Sequence, residues 1–147
     1  MYRALISNAQ LLAFDLEEIG PDDALSRFYG MANGDWQCPP SLRPTMVQHQ
    51  IPHHPWLDLF ASPRLRDNMI IAGSSLNEKE LCACLVGFTS GRAGLGIAIW
   101  GEAWDPLCWE VTEGFVQNWK WILDGCDDLL RSTNKWRAKR GEKPLMF

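Results

Sequence analysis

The segment His49-Gln50-Ile51-Pro52-His53-His54-Pro55-Trp56-Leu57-Asp58 holds all three histidines of the chain. Imidazole titrates near neutrality, so His53 or His54 could serve as an acid or base, with Asp58 beyond Pro55 orienting one ring. The same rings could instead hydrogen-bond backbone carbonyls and hold a proline-rich loop down. His49 and His53 have the i, i+4 offset of a helical metal chelate, but Pro52 and Pro55 oppose a helix and adjacent His53 and His54 diverge in an extended chain. No metal and no cofactor is expected. A second group, Trp100-Gly101-Glu102-Ala103-Trp104-Asp105-Pro106-Leu107-Cys108-Trp109-Glu110, alternates indoles with carboxylates. Indole walls would desolvate Glu102, Asp105 or Glu110 and raise the carboxyl toward a proton donor. Alternatively Asp105 caps a helix and Glu110 pairs with an arginine. In Arg64-Leu65-Arg66-Asp67-Asn68, the planar guanidinium of Arg66 is either half of a buried ion pair or a clamp for an anion, with Asn68 beside it.

Eight tryptophans stand in 147 residues, five of them from Trp100 to Trp121. Each indole fills core volume but brings an N–H that needs a partner when buried, so the set reads as either an unusually aromatic core, which the count alone favours, or the wall of a pocket for a flat organic molecule. The expected site is a dry hollow walled by Trp56, Trp100, Trp104 and Trp109, with His49, Arg66, Asn68 and Glu110 contacting a ligand and the histidine loop at its mouth. Nucleophile elbow, phosphate loop, nicotinamide fingerprint and His-Glu-x-x-His helix are all missing from the sequence.

These residues need elements to hold them. Apolar spacing predicts a helix from Tyr2 to Ile19, stopped by Gly20-Pro21, and a short one over Asp22 to Tyr29. Residues 30–55 carry seven prolines and glycines and read as one long ordered loop, with Trp36 in it. Ser62 and Pro63 open a helix that runs to Gly73, and Ser75 or Asn77 caps another that ends at Gly87. Gly94 to Trp100 reads as a short strand or an extended buried segment, with no evident second strand to pair it. Asp105-Pro106 opens a helix through Val111, Phe115, Trp119 and Leu123 to Gly125, and a last helix runs from about Asp127 to Arg140. The expected fold is an all-α, compact single domain over residues 1–147, a bundle of five to six helices with one long loop.

Composition sets bounds. The apolar fraction of 46% and charged fraction of 22% are those of a globular chain, and no apolar run approaches the ~20 residues of a membrane span. Five cysteines match no zinc spacing, and without a signal-peptide core they are expected as reduced thiols in the cytosol or nucleus. Residues 1–130 carry 8 basic and 17 acidic side chains, and residues 131–147 carry 6 and 1. The acidic body should repel nucleic acid. The basic tail either attracts phosphate or complements the C-terminal dipole of its helix.

Four ordered motifs carry a resemblance: His53-His54-Pro55-Trp56-Leu57-Asp58-Leu59; Pro63 to Asn68; Trp100-Gly101-Glu102-x-Trp104-Asp105-Pro106-x-x-Trp109-Glu110-Val111-Thr112; and Ser132-Thr133-Asn134-x-Trp136-Arg137-x-x-Arg140-Gly141-Glu142. From about Leu5 to Leu145 the chain resembles the fungal domain of unknown function that follows the basic region in many bZIP-like transcription factors. Ala103 stands where that family usually has proline, and Ala61-Ser62 where it has an aromatic-proline pair; both changes could enlarge a pocket. With no basic region or heptad zipper ahead of it, the chain is expected not to bind specific DNA by itself. Three functions follow as expectations. The first is a small-molecule-binding module of fungal specialised metabolism or its regulation, with an aromatic or polyketide-like ligand. The second is a cofactor-free cyclase, isomerase or lyase using His53, His54, Asp58, Glu102 and Asp105. The third is a protein-interaction module or a fragment of a transcription factor.

Overall fold

A computed structural model describes residues 1–31, 34, 37–86 and 96–147. Among these residues the chain forms seven α-helices and a two-stranded antiparallel sheet. The expectation of an all-α bundle of five to six helices is therefore corrected: the fold is helix-dominated but of mixed content. The helices are α1 (Tyr2–Leu11), α2 (Leu16–Ile19), α3 (Met46–Gln50), α4 (Pro63–Ala72), α5 (Glu78–Val86), α6 (Glu113–Trp119) and α7 (Asp127–Lys139).

The sheet arises where a helix was expected. Asp105 opens only a single 3-10 turn, Pro106–Cys108, its carboxylate accepting from the Leu107 N–H at 2.9 Å. The chain then extends as β2 (Trp109–Val111) and pairs with β1 (Ile97–Ile99), Ala98 facing Glu110 across the ladder. Thr112 explains the delay: its side chain caps the Phe115 N–H, so α6 starts only after it. Helix α7 backs the sheet, with the Thr133 hydroxyl accepting from the Val111 N–H at 3.1 Å. Trp109 and Val111 are thereby fully buried.

Three further boundaries differ from expectation. The helix expected from Tyr2 to Ile19 breaks at Ala13, which takes φ 54°. Such a conformation is strained for alanine, and here the Arg27 guanidinium holds the Ala13 carbonyl while Asp15 caps α2. Asp22 to Tyr29 forms turns rather than a helix, because the Ser26 N–H and hydroxyl are drawn to the His53 carbonyl and to Asp58. The proline-rich segment is not all loop. It contains a 3-10 turn, Pro40–Leu42, and α3, which a reciprocal Thr45–Gln48 capping box nucleates. Trp36 and Gly87, and Gly94 with Leu95 of the expected strand, lie outside the described residues.

Among the described residues two apolar clusters result. The larger joins α4, α5, the sheet, α6 and the start of α7 through Leu65, Leu81, Trp109 and Phe115; the smaller joins Ala9, Phe14, Phe28, Leu42 and Leu59. The 3-10 turn Pro55–Leu59 crosses between them, Leu57 in one and Leu59 in the other. Asp58, between those two leucines, is thus buried at the junction.

Candidate functional site

The junction encloses a polar network. Asp58 Oδ1 accepts from Gln48 Nε2 at 2.6 Å and faces His53 Nε2 at 2.8 Å, and Oδ2 accepts from the Ser26 hydroxyl at 2.6 Å. His53 Nδ1 lies 2.7 Å from the Ile51 carbonyl. A carbonyl can only accept and an ionised carboxylate can only accept, so His53 with both nitrogens donating is an imidazolium. Burial works against that charge but is outweighed by the hydrogen bond and charge of Asp58 and by the Ile51 carbonyl, and the imidazole is raised above its ordinary value.

Arg66, also fully buried, makes no contact with a carboxylate in this network. Its Nε donates to Gln48 Oε1 at 2.9 Å, and its terminal nitrogens donate to the carbonyls of Ser41, Arg43 and Phe60. Burial lowers its guanidinium to about 10 against the field of Asp58 and Asp67. Gln48 therefore relays between a buried cation and a buried anion. With the guanidinium occupied by backbone and amide oxygens, Arg66 does not present a clamp to a ligand. Asn68 is likewise committed, donating to the carbonyls of Ile122 and Asp124 at 2.8 Å.

The other histidines hold backbone. His49 Nδ1 lies 2.9 Å from the Phe28 carbonyl. His54 Nε2–H donates to the Pro21 carbonyl at 2.9 Å, and its Nδ1 accepts from the Trp56 N–H at 3.3 Å, which makes the ring a neutral tautomer and the cap of the Pro55–Leu59 turn.

The expected aromatic hollow is not assembled. Trp109 is buried against Phe60, 5.9 Å between ring centroids, with its indole N–H on the Ala103 carbonyl. Trp100 faces outward, 51% exposed, stacked on Trp136 at 5.5 Å and donating to Glu110 Oε2 at 2.6 Å. Glu110 is clamped by both terminal nitrogens of Arg140, so it is half of a bidentate ion pair. Trp104 packs on the smaller cluster, Asp105 is a cap, and Glu102 is exposed. Of the expected walls, Trp56 lines a sizeable cavity.

That cavity is a groove of about 670 Å³ between the segment Ile19–Asp22, the His54–Trp56 turn and the start of α5. Ile19, Trp56 and Leu76 give it apolar surface, and His54, Asp22 and Glu78 line it with polar groups. The Trp56 indole N–H donates to Glu78 Oε2 at 2.6 Å. Sequence reasoning placed His54 and Trp56 together and missed Glu78, which no spacing links to position 56. It also missed Ser26, Gln48 and Arg140. The Thr45-x-x-Gln48 capping box was a signal for Gln48, whereas Ser26 and Arg140 meet their partners only through tertiary structure.

The comparisons agree with a domain-level identity. The chain belongs to the family defined by a domain of unknown function, DUF3425, whose model matches residues 23–130. The match takes in Ser26, Gln48, His53, Asp58 and Arg66, and stops before Trp136 and Arg140. No curated protein and no solved structure matches the chain. Among the described residues no helix is long and apolar enough to cross a membrane, and no group of three or more His, Cys, Asp or Glu could hold a metal ion.

Proposed function

We propose that this chain is a small-molecule-binding domain whose site is the groove beside His54 and Trp56. The observation that carries this reading is the groove itself. Its volume of about 670 Å³ suits a drug-sized organic molecule, and it sets a half-buried indole among a few polar side chains, as ligand sites commonly do. A flat aromatic or polyketide-like body fits that surface. Catalysis has less support. His53 is sealed against Asp58, and both nitrogens of His54 are spent on backbone groups, so neither imidazole offers a base to a substrate. The resemblance to the fungal domain that follows the basic region of bZIP-like factors is what supports a role in specialised metabolism or its regulation, in the cytoplasm or nucleus. Specific DNA binding is not assigned to this chain.

The test is a titration of 15N-labelled protein with flat aromatic and polyketide-like compounds. The Trp56 indole N–H resonance, assigned by its loss in Trp56→Phe, should move first, and that of buried Trp109 should stay. Compounds that bind without moving Trp56 would overturn the assignment.

A further inference from the structure

The groove's charge narrows its ligand. We propose that the groove selects organic cations, a protonated amine or quaternary ammonium carried on an apolar or aromatic body; this rests on the groove being the binding site. Two carboxylates, Asp22 and Glu78, line it against one cation, Lys79. The lysine does not neutralise the site firmly. Its Nζ sits 3.4 Å from Asp22 Oδ2 with both side chains 88% exposed, a pair of the kind that contributes little and opens readily. Asp22, one of the two carboxylates of the groove, thus already pairs loosely with an ammonium of the chain's own.

Glu78 is held differently. The Trp56 indole N–H fixes one of its oxygens at 2.6 Å, which presses the carboxylate against the indole edge. A carboxylate has about four lone-pair positions, so one indole bond leaves it able to accept from an ammonium. Trp56 adds the second half of cation recognition, an aromatic face of negative quadrupole that attracts a cation within about 6 Å. His54, fixed as the neutral tautomer by Pro21 and Trp56, brings no opposing charge. Ile19 and Leu76 supply the apolar contact for the rest of the molecule.

Three probes of similar size and different charge test this: phenethylammonium, 2-phenylethanol and 3-phenylpropionate, each titrated while the Trp56 indole resonance is followed. Phenethylammonium should bind about fivefold or more tighter than the alcohol, and the carboxylate weakest, as one ion pair plus a cation–π contact implies. Glu78→Gln keeps an acceptor for the indole but removes the charge, and should abolish the preference. Lys79→Met frees Asp22 and should raise affinity for the cation a few fold; with its side chain 88% exposed, it also serves if Glu78→Gln fails to fold by circular dichroism. Equal binding of the alcohol, or tighter binding of the carboxylate, overturns the cation proposal and leaves the groove as a site. If no probe moves the Trp56 resonance at tens of millimolar, the groove reading itself fails and the proposal with it.

Discussion

His53 and Asp58 form a buried ion pair at 2.8 Å whose imidazole has no acceptor-free nitrogen, because Ile51 occupies the other side at 2.7 Å. The two apolar clusters meet around this pair. Its geometry makes stability depend on pH. Burial disfavours the imidazolium, yet Asp58 and the Ile51 carbonyl raise His53 above its unfolded value. A group raised on folding stabilises fully below its unfolded pKa, near 6.5, and loses that contribution as pH rises through the folded value. Urea midpoints should therefore fall as pH climbs above about 6.5 and through the raised folded value. In His53→Gln the midpoint should lose most of this slope; an unchanged slope would mean that another group supplies it.

Asp58 collects donors from three separate segments through Ser26, Gln48 and His53. Asp58→Ala strands all of them in a site without solvent. Removing one partner of a buried charged network costs about 3–5 kcal/mol, a large part of the ~5–15 kcal/mol that holds a domain folded. Equilibrium urea unfolding measures it, and a loss below about 1 kcal/mol would contradict the geometry.

Arg66 stabilises by shape as much as by charge. Its fork reaches Gln48 and the carbonyls of Ser41, Arg43 and Phe60 together, tying the segment before α3 to the Pro55–Leu59 turn. Arg66→Lys keeps the charge but cannot span these acceptors. With two or more carbonyls left unsatisfied, a loss of about 2–4 kcal/mol is expected in the same unfolding assay.

What could be read from the sequence divides along these contacts. Local signals worked where capping chemistry is local: Ser62-Pro63 opens α4, and α7 spans Asp127–Lys139 with Gly141 at φ 72° beyond it. They failed where a distant partner decides. The Trp109–Val111 segment has apolar residues at positions a helix would also use, and only pairing with Ile97–Ile99 and backing by Thr133 make it a strand. The histidine cluster stood out in sequence, and so did Asp58. Which imidazole would reach that carboxylate was not legible, because Pro52 and Pro55 fix the chain direction in a way no periodicity reports. The tryptophan count by itself pointed to an aromatic core more than to a pocket wall, and the structure divides the set: Trp109 is core, Trp100 belongs to a surface stack with Trp136, and Trp56 lies in a groove completed by Glu78.

The tail after α7 is fastened by side chains. Asn134 pairs with the Leu145 backbone at both its N–H and its carbonyl, 2.7 and 3.0 Å, and Arg140 holds Glu110 and Glu142. In Asn134→Ala, hydrogen exchange at the Leu145 amide should speed up while amides of α4 keep their protection. Faster exchange throughout would show that the tail is part of the global fold rather than a separate clasp.

Cysteine reactivity reports on the groove directly. Cys82 is exposed and lines it, whereas Cys126 is buried in the main core. Burial, helped by the nearby Asp128, pushes the Cys126 thiol up to about 12. The thiolate is the nucleophile, so at pH 8 Cys126 has neither access nor charge. Iodoacetamide followed by peptide mass spectrometry should find Cys82 alkylated early and Cys126 only once the chain unfolds. A molecule seated beside Trp56 would cover Cys82 and slow its alkylation alone. If phenethylammonium moves the Trp56 resonance and leaves the Cys82 rate unchanged, the ligand lies toward the His54 end of the groove, and a Cys82→Ser variant should bind it as the native protein does.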